Sequence, residues 1–73
     1  MANLKEIVDL INKGNLKEAL TLCVTYENEK NKKFILNFRG VIQLIEGNLD
    51  IAEKNFLDAV VIDSKFIDPL KNL

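Results

Sequence analysis

The sequence predicts an all-α fold, a stack of antiparallel helical hairpins. Three observations carry the prediction. The motif G-N-L-x-x-A occurs twice, as Gly14, Asn15, Leu16 and Ala19 and again as Gly47, Asn48, Leu49 and Ala52. Such a repeat, with a period within the range of about 20 to 50 residues, is the mark of stacked supersecondary units. Both copies are flanked by apolar residues at helical spacing. The stretch between them, NEKNKK from Asn28 to Lys33, has no apolar side chain to bury and reads as the boundary between two hairpins.

The elements follow in order. Leu4, Ile7, Val8, Leu10 and Ile11 form the apolar stripe of a first helix, and Leu16, Ala19, Leu20, Cys23 and Val24 that of a second. Gly14 stops the first by taking a left-handed conformation. Asn15 is expected to cap the second with its side chain, in a capping box with Glu18. Ala19 and Ala52 are small, so the paired helices approach closely. After the polar boundary, Phe34, Leu36, Phe38, Val41, Ile42, Leu44 and Ile45 outline a third helix. Gly47 and Asn48 repeat the bend, with Asp50 in the first turn where the helix dipole favours a carboxylate. Leu49, Ala52, Phe56, Leu57, Ala59, Val60 and Val61 complete a fourth helix. Asp68-Pro69 reads as an N-cap followed by proline at the first helical position, the start of a short fifth helix.

A chain of 73 residues is one small domain or a piece of a larger one. Its core supplies only a few kcal/mol, a size at which oligomerisation is common. The net charge is −1 with both signs interspersed, so the basic field that holds nucleic acid is absent. Lys30, Lys32 and Lys33 lie in a stretch that also holds Glu27 and Glu29 and read as a solvated loop. Lys5, Glu6 and Asp9 interrupt the first residues, so no secretory h-region forms. No apolar run approaches the ~18 residues of a membrane helix. The single cysteine cannot form an internal disulfide, and a reducing, cytoplasmic setting is expected.

Catalytic constellations are missing from the sequence. There is no histidine, hence no Ser–His or Cys–His pair and a poor prospect for a metal site. The three glycines, Gly14, Gly40 and Gly47, are accounted for by helix geometry and not by a phosphate loop. Cys23 shares an apolar stripe with Leu16, Leu20 and Val24 and reads as a buried structural thiol. Asp63 and Asp68 read as helix-end residues. No enzyme activity and no cofactor is expected.

The pattern resembles the tetratricopeptide repeat (TPR), a helix–turn–helix unit of about 34 residues with the signature W-x2-L-G-x2-Y…A-x3-F…P. The second copy carries it best. Leu36 stands at the large apolar position and Gly40 at the helix-contact glycine. Ala52-x3-Phe56 has the right spacing, and Ala59 fits the small residue beyond it. Arg39, Gln43 and Ser64 depart from the usual leucine, tyrosine and proline. In the first copy, which is one residue short of the full unit, Ile7 replaces the glycine, Cys23 the aromatic and Tyr26 the small residue. Leu70-x2-Leu73 matches the start of a third repeat, one full unit after Leu36. The resemblance implies one domain over 1–73, with repeat 1 at about 1–31, repeat 2 at about 33–64 and the start of a third at 65–73, wound as a right-handed superhelix.

The resemblance further implies a role in protein–protein interaction. First helices of successive repeats line a groove, here carried by Leu4, Val8 and Ile11 from repeat 1. Repeat 2 supplies Phe34, Asn37, Phe38, Val41, Leu44 and Ile45. This face is apolar. Asn37 is the one residue of the polar type with which chaperone-tail binders of the family grip a carboxylate, so such a clamp is not expected. The expected partner is an apolar or amphipathic helical segment of a protein, or a second copy forming a homodimer; nucleic acid and membrane are not expected partners. The end of the sequence at Leu73, one residue before the next repeat glycine, leads to the expectation of an N-terminal part of a longer protein. The alternatives are a stand-alone assembly protein, or a small regulatory domain attached to a downstream catalytic domain such as a transferase.

Overall fold

The computed structural model describes residues 4–63, which form four helices: α1 (Leu4–Asn12), α2 (Leu16–Tyr26), α3 (Lys32–Ile45) and α4 (Leu49–Ile62). Among the described residues there is no strand. The expected fifth helix at Asp68-Pro69 and third repeat start at 65–73 lie outside the described residues.

The two G-N bends are built alike. Gly14 and Gly47 have φ of 80° and 84°. That left-handed turn lets two successive N–H groups fold back on the preceding helix. Gly14 donates to the Ile11 carbonyl at 3.0 Å and Asn15 to that of Leu10 at 2.8 Å; Gly47 donates to Leu44 at 3.1 Å and Asn48 to Gln43 at 2.9 Å. This is the Schellman closure of a helix end. The asparagine carbonyls then accept the first bond of the next helix, from Ala19 and Ala52, each at 3.0 Å. One asparagine therefore both closes one helix and opens the next, and the linker has no residue to spare.

The side-chain caps expected of the asparagines, including the box between Asn15 and Glu18, are not made. The physical reason is backbone conformation. An N-cap side chain folds onto the first turn from an extended backbone. Asn15 and Asn48, committed to the Schellman bond, have ψ of 64° and 72° instead. Asn48 uses its side-chain amide to donate to Gln43 Oε1 at 2.8 Å, across the bend.

The polar boundary is an ordered turn. Asn28 Oδ1 accepts the backbone N–H groups of Lys30 at 2.9 Å and Asn31 at 3.0 Å. Asn31 Oδ1 accepts the Asn28 N–H at 2.8 Å, and Asn31 Nδ2 donates to the Tyr26 carbonyl at the end of α2, also at 2.8 Å. These local bonds replace a helical ladder and set the point where α3 begins. Lys33 ties the other end of the second hairpin by pairing with Asp63, the C-cap of α4. Its ammonium also lies 5.2 Å from the centroid of the Phe34 ring. Of the three lysines read as solvated, Lys30 and Lys32 are exposed and Lys33 is half-buried.

Packing runs through α3. It lies against α4, α2 and α1, and α1 lies against α2; α4 packs against α3 alone among the four. Ile7, Ala19, Cys23, Ile35 and Ile42 form one buried cluster. Leu36, Gly40, Ala52, Phe56 and Ala59 are also buried, on α3 and α4. The glycine at position 40 has a steric cause. A Cβ built there would sit 2.7 Å from Cδ1 and 2.8 Å from Cζ of the Phe56 ring, well inside the ~3.5–4.0 Å of ordinary carbon contact. The large ring occupies the space that a side chain at this position would need.

The first hairpin solves the same packing problem with the volumes reversed. In the register of the two G-N bends, Ile7 and Cys23 are the counterparts of Gly40 and Phe56. Both are 0% exposed and both lie in the central cluster. A large residue on the first helix is matched by a small one on the second. Two of the three departures of this hairpin from the signature, Ile7 and Cys23, thus place a large and a small residue in one buried cluster with the sizes exchanged, as dense packing favours.

Candidate functional site

The face that sequence reasoning singled out is carried by α1 and α3, two helices in contact. Along α3 the residues Phe34, Phe38, Val41 and Ile45 recur at i, i+4, i+7 and i+11. At 3.6 residues per turn they fall within an arc of roughly 60°. That stripe points away from the α4 contact, because Leu36 and Gly40, on the opposite side of the helix, are buried. Phe34 and Ile45 are 39% and 56% exposed. Phe38 is partly buried against the central cluster, so its ring is shared between core and surface. Val41 is half-buried in the middle of the stripe, and Asn37 and Leu44 are half-buried on its flank.

On α1, Leu4 and Ile11 also pack partly against the central cluster, and Val8 is exposed between them. The predicted face therefore divides by burial. Val8, Phe34 and Ile45 offer exposed apolar surface, while Leu4, Ile11 and Phe38 anchor that surface to the core. A polar contact also ties α1 to α2: the Tyr26 hydroxyl donates to Glu6 Oε2 at 3.2 Å. Burial, and then the Glu6 charge and this bond, push the Tyr26 phenol up from its ordinary value.

The electrostatics of the α3 face are simple. The helix has no acidic residue, and its charges are Lys32, Lys33 and Arg39. Arg39 turns away from the stripe toward Glu27, with Nη1 3.8 Å from Oε1. Lys33 stands beside Phe34 at the N-terminal end and is engaged by Asp63. Apolar surface thus runs the length of α3 without a charge in its middle.

Cys23 is buried, and desolvation pushes its thiol up to about 11, with Arg39 lowering it in part and Glu27 raising it. A thiol so protonated is a poor nucleophile near neutral pH. Among the described residues no group of three or more Asp, Glu or Cys side chains could hold a metal ion. An open depression on the other flank of α1 is lined by Glu6, Asp9, Lys13, Glu18 and Thr21 together with Leu10 and Leu22, a mixed set of charges. Among the described residues no helix is long and apolar enough to cross a membrane.

One feature of the surface escaped sequence reasoning. Leu49, Ile51, Leu57, Val61 and Ile62 of α4 and Val24 of α2 are exposed, with Val61 the most open at 84%. The signal was present: on the side of α4 away from Ala52, Phe56 and Ala59, the apolar Ile51, Leu57, Val61 and Ile62 alternate with Asp50, Glu53, Lys54 and Asp58. Reading its apolar residues as one stripe hid those that face away from the core. No family model, no curated protein and no solved structure matches this chain.

Proposed function

We propose that the chain is a protein-interaction module of the tetratricopeptide type, two repeats and the start of a third, that self-associates through the apolar face of α1 and α3. The carrying observation is the uninterrupted stripe Phe34, Phe38, Val41 and Ile45 on α3, with Val8 exposed on the contacting helix α1. Three features support the repeat reading: the two equivalent G-N bends, the Gly40–Phe56 contact with its reversed counterpart at Ile7 and Cys23, and an α3 that touches both helices of the preceding hairpin. A right-handed superhelical stack follows from that reading. The module acts by binding and carries no catalysis of its own, in the cytoplasm, where Cys23 stays a thiol.

A second copy is the preferred occupant, because the stripe on α3 is apolar and carries no charge in its middle, so two copies can meet there without burying an unpaired charge. The same face accepts an amphipathic helix that presents apolar residues at i, i+4 and i+7. Sedimentation equilibrium of the Phe34→Asp variant tests the proposal. A charge on that ring position weakens the dimer at least tenfold, about 1.4 kcal/mol, while the far-UV circular dichroism stays helical. An unchanged dissociation constant places the contact elsewhere and rejects the reading.

A further inference from the structure

We draw no further inference here: the strongest candidate, the exposed apolar face of α4 carrying Leu49, Leu57 and Val61, is an unpartnered surface, and nothing in the structure shows what covers it.

Discussion

Gly40→Ala should destabilise this protein, although the same change in an open helix stabilises. Replacing a mid-helix glycine by alanine gains about 1 kcal/mol from backbone propensity. At position 40 the new methyl would lie 2.7 Å from Cδ1 of Phe56. The ring is 0% exposed, enclosed by its neighbours, and cannot swing into solvent. Overpacking a dense core costs about 1–3 kcal/mol, and the 2.7 Å approach puts this site at the upper end. The net result is a loss of about 1–2 kcal/mol, the clash outweighing the propensity gain. For a domain of this size that lowers the thermal midpoint by roughly 5–15 °C. Urea unfolding followed by circular dichroism gives the free-energy change directly. Phe56→Leu supplies the second arm. Made alone it opens a cavity, but combined with Gly40→Ala it relieves the clash, so the two changes are less than additive. A Gly40→Ala protein more stable than the parent, or strictly additive effects, would refute the packing argument.

Other substitutions probe the bends, the boundary turn and the core thiol. Gly47→Ala meets nothing within 4 Å but must hold a φ of 84°, so it loses about 1–2 kcal/mol from backbone strain alone; Gly47→Asn loses less, as equilibrium unfolding would show. Asn31→Ala removes a bond to the Tyr26 carbonyl and an acceptor for the Asn28 N–H, costing about 1 kcal/mol, with faster amide exchange at Asn28 as its local sign. Cys23 has a thiol raised from 9.0 to about 11, so the folded state holds its proton more tightly than the unfolded chain does. The stabilisation this gives is complete below pH 9 and is lost as pH rises through 11. Cys23→Ala flattens that part of the stability–pH curve, and an identical alkaline slope in both proteins would contradict the burial of the thiol.

Sequence reading reached the four helices because each bend needs glycine for a reason that chemistry makes visible. A left-handed residue at the helix end has few substitutes, and two copies of the bend fix the period. Gly40, Ala52 and Phe56 were legible for the same reason: size is written in the residue itself. The role of Asn15 and Asn48 was not. An asparagine after a helix-ending glycine can cap the next helix with its side chain or through its backbone carbonyl alone, and only the backbone angles choose between them. The exchange of Ile7 and Cys23 for Gly40 and Phe56 reads in the sequence as two separate departures, since a one-dimensional comparison does not show that both positions lie in one buried cluster. The Asn28–Asn31 turn reads in the sequence as loop because its order comes from side-chain bonds without an apolar signal. For the candidate face, the residues were named from the repeat register, and burial then divided them. Phe38 and Phe34 are alike in sequence, yet one is wedged against the core and the other is exposed.

The most direct test of the central claim is the solution mass of the chain by light scattering across a concentration series. The α1/α3 face predicts a mass that rises toward twice 8.3 kDa as concentration increases, and a Phe34→Asp variant that remains at the monomer value throughout. A monomer at every concentration, or a dimer that Phe34→Asp leaves intact, would contradict it.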